Sequence, residues 1–322
     1  MYKEAIRSVW AEINLTNADY NIKQIKKKVG EDKEIIGVLK ADGYGHGAVK
    51  MAEVLRENGV KSFAVATLQE CIALREAGAM EEIIMLGLTP DIYADTIVQY
   101  NITPTVNSWE NAKAFSDEAK NNGVEVRGFV AVDTGMGRIG YLPDDERAIG
   151  DIKKMEKLSN FSVKGLLSHF ARADEKDKSF SEVQVKLYED FERKLNDAGV
   201  EILFKSIANS AAIMEMPFAH FDGVRPGIIL YGCYPSDQVD KEQLNIKPVM
   251  SIKANILHLK RVPTGFSCGY GSKFTATRES LIGTIAIGYA DGYPRPFSGE
   301  GKVIVNGKFA PIAGNICMDQ CM

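Results

Sequence analysis

The stretch "IIGVLKADGYGHGAVKMAEVLRENG", residues 35–59, decides the architecture. Its apolar, β-branched opening "IIGVLK" reads as a buried strand over 35–40. "AVKMAEVLRENG" reads as an amphipathic helix that stops at Gly59, a residue suited to the left-handed position after a helix. Between them runs a loop with three glycines, a tyrosine and a histidine. A strand, a glycine-rich loop and a returning helix make one unit of a parallel α/β fold.

The unit recurs along the chain. Strand-like runs follow at "FAVAT" (63–67), "IIMLG" (83–87), "ITPTV" (102–106) and "VRGFVAVD" (126–133). Three more stand at "VKGLLSH" (163–169), "FKSIANS" (204–210) and "GVRPGIILY" (223–231). Helical patterns such as "LQECIALREAG", "WENAKAFSDEAKNNG" and "SEVQVKLYEDFERKLNDAG" separate them, the weakest being "SAAIMEMPFA", which meets Pro217. Eight strand signals with intervening helices predict an N-terminal (β/α)8 barrel over residues 1–240; an open doubly wound sheet is the alternative. After about residue 240 the helical pattern stops. Strand-like runs such as "VMSIKANILHLKRV" and "GKVIVNGKFAPIAG", the latter with an Asn306-Gly307 hairpin signal, predict a mainly β domain over 241–322. The last run, "NICMDQCM", stops as a strand without a cap, so the sequence reads as cut short.

The bulk properties narrow the function. The 322 residues carry 39 basic and 43 acidic side chains, a net charge of −4, and no basic face is expected for nucleic acid or a membrane surface. Five scattered cysteines, with no C-x-x-C pair, suit a reducing cytosol. The N-terminal "MYKEAIRSVWAEINL" lacks the apolar core of a leader, and no run reaches the ~18 apolar residues of a membrane span. The four histidines are too far apart for a local metal signature, so no metal is expected. A soluble cytoplasmic protein is the expectation.

In a barrel the chemistry collects where strands end. Lys40 ends the first strand, and Asp133, His169, Asn209 and Ser210 end later ones, with Arg225 inside the last. A lysine at a strand end is often only a snorkelling surface residue. At a barrel rim, partial burial makes its amine nucleophilic and suited to a Schiff base with an aldehyde. Ser210, Gly227 and Ile228 bring a hydroxyl and backbone amides toward a phosphate cup after the seventh and eighth strands, and Tyr44, after the first, offers a hydroxyl suited to phosphate. "GMGRIG", 135–140, matches the dinucleotide fingerprint, but Pro143 follows at once and no helix opens on the glycines. What remains is a glycine loop presenting Arg138.

"VLKADGYGHG", "DTGMGRIG", "SHFARAD", "ANSAA", "VRPGIILYG", "IGYADGYPR" and "ICMDQ" stand in one order along the whole chain. Together they resemble the alanine racemases. The resemblance implies a pyridoxal 5′-phosphate (PLP) isomerase that interconverts L- and D-alanine for peptidoglycan, built as a homodimer with sites shared across the interface. It implies that Lys40 holds the cofactor and serves as the base on the D side, and that Tyr270 of the other subunit serves the L side. It further implies cofactor contacts at Tyr44, His169, Asn209, Ser210, Arg225, Gly227 and Ile228, and substrate contacts at Arg138, Met318 and Asp319. An arginine at the pyridine nitrogen, in place of the carboxylate most PLP enzymes use, weakens the electron sink and favours return of the proton to Cα.

Three positions depart from the family pattern. Ala131 stands where a lysine is often found, and Asn315 replaces an arginine of the substrate corridor. The family also continues about sixty residues further. A serine or broad-specificity racemase on the same scaffold is the alternative reading.

Overall fold

The computed structural model describes residues 8–322. The leader reading falls partly on residues 1–7, which lie outside them. Two compact units emerge among the described residues: Asn14–Val249, and 8–13 together with Met250–Met322. The sequence reading put the boundary at 240/241 and began the barrel at residue 1. Contacts divide the chain at 249/250 instead, because strand Val9–Ile13 pairs antiparallel with Met250–Ala254 and so joins the β unit.

In the first unit eight parallel strands run β1 Glu34–Val38, β2 Ser62–Val65, β3 Glu82–Leu88, β4 Thr103–Val106, β5 Val126–Ala131, β6 Phe161–Leu167, β7 Lys205–Ser206 and β8 Gly223–Val224. Their order, β7-β6-β5-β4-β3-β2-β1-β8, is that of a barrel opened at one seam. Backbone bonds flank that seam: Asp222 N–H donates to Lys205 O at 3.1 Å and Arg225 N–H to Ala208 O at 3.0 Å. The (β/α)8 expectation therefore holds, and the open doubly wound sheet does not. The interior is filled by Ile36, Val38, Ala64, Ile84, Phe129 and Leu167 from β1, β2, β3, β5 and β6, a packed core below the rim.

The helices form where capping and periodicity agree. Asn14 caps Leu15–Val29, whose buried Ala18, Ile22, Ile25 and Val29 make one stripe. Thr67 and Glu70 form a capping box on Leu68–Glu76. Helix Ser179–Asp197 buries Gln184, Tyr188, Phe191 and Leu195 on one side.

Strands seven and eight are shorter than their sequences suggest. "FKSIANS" gives two strand residues, since Asn209 is recruited as the N-cap of helix Ser210–Glu215. In "GVRPGIILY" the strand ends at Val224, because Pro226 has no N–H to donate and Ile228–Tyr231 winds into a 3-10 turn. Arg225 thus follows the last strand.

In the second unit no α-helix occurs among the described residues of 250–322. Ile256–Val262 pairs with Ser280–Ile285, Ser267–Cys268 with Phe274–Thr275, and Lys302–Val305 with Lys308–Pro311. The last pair turns through Asn306 and Gly307, both at positive φ (49° and 77°), as the Asn-Gly signal requires. "NICMDQCM" is mostly a turn, closed by Cys317 N–H to Gln320 O at 2.9 Å, and only Cys321 bridges to Ile285.

Candidate active site

A cavity of about 280 Å³ opens at the C-terminal ends of the barrel strands, and Lys40, Asp133, Arg138, His169 and Arg225 line it. Lys40 is not a strand residue: β1 stops at Val38, and Lys40 opens a turn in which Ala41, Asp42, Gly43 and Tyr44 all adopt left-handed conformations (φ 51–60°). For L residues that geometry costs ~1–2 kcal/mol each, so other contacts must hold it. Asp42 Oδ1 accepts the Ala48 N–H at 2.8 Å, and Gly43 is needed because a Cβ there would come within 3.3 Å of the Ala48 backbone. The Tyr231 hydroxyl donates to Val38 O at 2.8 Å and stacks against Tyr44, ring centroids 4.9 Å apart.

The Lys40 amine lies 5.8 Å from the Tyr44 ring centroid. Its pKa is lowered, first by burial and then by the Arg138 and Arg225 cations, with Glu70 acting in the opposite sense. A larger share of neutral, nucleophilic amine follows. Tyr44 is pushed up by burial and so stays a hydroxyl donor.

Arg225 is 5% exposed, yet no carboxylate pairs with it among the described residues. Its Nη1 donates to Ser206 Oγ at 2.6 Å, and its Nη2 to the carbonyls of Ser168 and Ile207. Nη2 also lies 3.4 Å from His169 Nδ1. Burial pulls the guanidinium down to about 10, which leaves it charged at neutral pH. His169 is pushed down to about 3 by burial and then by Arg225, Arg138 and Lys40, so its ring is neutral.

Beside the seam, Ser210 Oγ accepts the Gly227 N–H at 3.0 Å, and a Cβ at Gly227 would stand 2.9 Å from the Tyr44 hydroxyl oxygen. Only glycine fits. Asn209 Oδ1 accepts the Ala212 N–H at 3.2 Å, so it orients this corner by capping. Ile228 begins the following 3-10 turn, where its amide has no carbonyl behind it within the turn. Arg138 sits exposed on the loop after β5, which Asp133 shapes by accepting the amides of Gly135 and Gly137 at 3.0 and 2.9 Å. No helix opens there, in keeping with rejection of the dinucleotide fingerprint.

Tyr270, Met318 and Asp319 belong to the β unit. Tyr270 opens the turn Tyr270–Ser272 and is 74% exposed. Asn315 Nδ2 donates to its carbonyl at 2.8 Å. The Met318 carbonyl accepts the Ala290 N–H at 2.9 Å, and Gly288 permits this because a Cβ would overlap the 317–318 backbone. That unit therefore groups Tyr270, Asn315 and Met318 through linked turns.

Two supporting residues escaped the sequence reading. Gln184, fully buried, donates to His169 O at 3.0 Å and accepts the Ala171 N–H at 3.0 Å, fixing the chain on both sides of His169–Ala171. Its signal was a polar residue on the apolar stripe of "SEVQVKLYEDF". Ser206, whose hydroxyl accepts from Arg225, carried none. Among the described residues no cluster of His, Cys, Asp and Glu could hold a metal.

Comparison with known proteins gives a uniform result. A family model for the alanine racemase N-terminal domain matches residues 13–235, and one for the alanine racemase C-terminal domain matches 249–322. Alanine racemase 1 of Clostridium acetobutylicum is 49% identical over 317 residues, spanning 98% of this chain and 82% of that protein. The solved alanine racemase of Clostridium difficile 630 is 42% identical with a TM-score of 0.91, covering 98% of this chain and 82% of its own. A histidine racemase from Leuconostoc mesenteroides is also similar, at 30% identity and a TM-score of 0.88, covering all of this chain and 85% of its own.

Proposed function

We infer the chemistry of this site from a plain fact: the chain belongs to the alanine racemase family. It is an isomerase that interconverts L-alanine and D-alanine. The observation that carries the reading is the rim cavity itself, where a lysine with a lowered pKa shares about 280 Å³ with two guanidiniums and a neutral imidazole. Cations suit an α-carboxylate, and the volume suits a small amino acid.

The donor set fits pyridoxal 5′-phosphate. Tyr44, Ser210, Gly227 and Ile228 would hold the phosphate with hydroxyls and amides, in a cradle that a Cβ at Gly227 would fill. Lys40 would take the aldehyde carbon, Arg225 would donate to the ring nitrogen, His169 would stand beside the ring, and Asn209 would keep the cup in shape. Bound there, the group supplies an electron sink that acidifies the α-proton of an attached amino acid.

The chain's own residues then divide the proton work. Lys40 Nζ takes or returns the α-proton on the D side, and Tyr270 Oη contributed by the second subunit does so on the L side. Arg138 binds the substrate carboxylate, with Met318 and Asp319 contributed by the second subunit closing that end. Arg225 donates and offers no anion, so it does not hold a proton on the ring nitrogen. Tyr270 and Met318, 74% and 53% exposed, would be covered by a second subunit, which supports a homodimer with shared sites. Among the described residues no helix is long and apolar enough to cross a membrane; we take the enzyme to work in the cytoplasm, supplying D-alanine for peptidoglycan.

The test is direct. The full chain with added PLP is incubated with L-alanine, and D-alanine is followed by chiral chromatography to an equal mixture. Serine and histidine are run in parallel, since a histidine racemase shares the scaffold. Absence of D-alanine overturns the reading.

A further inference from the structure

Strand β2 ends at Val65, and the helix that follows is capped reciprocally by Thr67 and Glu70. A capping box occupies one carboxylate oxygen. Here Oε2 fills that role, accepting the amides of Ala66 at 2.8 Å and Thr67 at 3.1 Å. Oε1 reaches elsewhere, to the N–H of Ala41 at 2.6 Å. Ala41 is the first left-handed residue of the turn that Lys40 opens. On the other side of the lysine, Leu39 N–H donates to Ala64 O at 2.8 Å. Lys40 is therefore held between two ties to the end of β2, one made by backbone and one by Glu70.

We infer that Glu70 is a positioning residue for Lys40: its carboxylate fastens the amide after the lysine to the neighbouring strand end and sets an anion against the cationic wall of the cavity. The inference rests on the reading of Lys40 as a base. The turn's other fastenings are mostly its own, through Asp42, Gly47 and His46. Without Glu70, the turn, with three non-glycine residues in the left-handed region, would lose its side-chain tie to the end of β2. The ionisable groups around the amine are Tyr44 on its own turn, Asp133 and Arg138 after β5, His169 after β6, Arg225 after β8, and Glu70 after β2. Arg138 and Arg225 favour the neutral amine, and Glu70 favours the ammonium. One side chain thus bears both on where the lysine stands and on the charge around its amine.

Substitutions separate the two effects. Glu70→Gln loses the charge and one of the two acceptor oxygens, so its NH2 faces either the Ala41 amide or the cap amides of Ala66 and Thr67. Glu70→Ala loses the charge and both oxygens, whereas Thr67→Ala weakens the helix cap and leaves the carboxylate on Ala41. The readouts need no turnover: acetylation of Lys40 by acetic anhydride across pH, located by mass spectrometry on the full chain freed of PLP with hydroxylamine, and hydrogen exchange of the Ala41 amide. Glu70→Gln should move the Lys40 midpoint down by roughly half a unit or more. Glu70→Ala should also speed Ala41 exchange ~10-fold or more, and Thr67→Ala should change neither. If Glu70→Ala does not fold, Glu70→Gln decides, and an unmoved midpoint overturns the inference. Unchanged exchange in Glu70→Ala, or the same changes in Thr67→Ala, also overturns it. Failure of alanine racemisation with these shifts present would remove the functional reading and leave Glu70's role standing.

Discussion

Arg225 and His169 meet at the barrel rim with Nη2 3.4 Å from Nδ1, and the contact selects the tautomer of the histidine. A guanidinium can only donate, so Nδ1 accepts and the proton of the neutral ring sits on Nε2. The guanidinium's other bonds go to two carbonyls and a hydroxyl. The pair therefore presents donors to the cavity and no anion.

The acid stability of the protein should report this pair. His169 is pushed down to about 3 from an ordinary 6.5, so between those values the unfolded chain binds a proton that the folded one refuses. Stability is then level above pH 6.5 and falls as pH drops toward 3. Between pH 7 and pH 5 the loss from this group is about 2 kcal/mol. Urea unfolding of His169→Gln at both pH values should show a smaller drop than the unaltered chain, and an equal drop would contradict a neutral buried His169.

Arg225→Glu exchanges a donor for an anion at the ring nitrogen. Racemisation should fall roughly 10²-fold, and pyruvate from alanine, the product of the competing amino-group transfer, should rise. Arg225→Lys keeps the cation and should leave pyruvate at its ordinary level. Thermal melts run alongside exclude a collapse of the rim. Unchanged partition to pyruvate in Arg225→Glu would remove this account of the arginine.

Lys40→Ala should retain no cofactor on the chain after borohydride reduction, where the unaltered chain keeps one at Lys40 by mass spectrometry. Racemisation should disappear with it. Co-refolded Lys40→Ala and Tyr270→Phe chains give half mixed dimers, each with one intact site of two, so roughly a quarter of the activity should return. No recovery despite confirmed subunit exchange would place both bases in one subunit.

Tyr270→Phe removes proton transfer on one face. Racemisation should drop ~10²–10⁴-fold, while exchange of the α-proton of D-alanine with D₂O survives better than that of L-alanine. Equal loss of both exchanges would count against two bases with separate faces.

The barrel was legible because strand–loop–helix units repeat with ordinary periodicities, and the rim residues because they sit where those units end. The left-handed turn after Lys40 was not legible. Ala41 carries no local sign of positive φ, and the side chain that holds it is Glu70, 29 residues on. Thr67 and Glu70 announce a helix cap in sequence, but only the fold shows the second oxygen in use. Strand eight was over-read because "GIILY" looks like a strand by composition, while Pro226 ahead of it blocks the ladder. Gln184 stood out as a polar residue on an apolar stripe, but its partners His169 and Ala171, and the bond from Arg225 to Ser206, are set by the fold and by no spacing rule.

The two-residue strands β7 and β8 leave the barrel with its thinnest joint between them, and Ser210 and Gly227 stand on opposite sides of that joint. A ligand held by both residues would act as a rivet across it. Holding the ligand and keeping the cylinder shut would then be a single event, so any slow breathing of the barrel along this line would double as the route by which the ligand comes and goes.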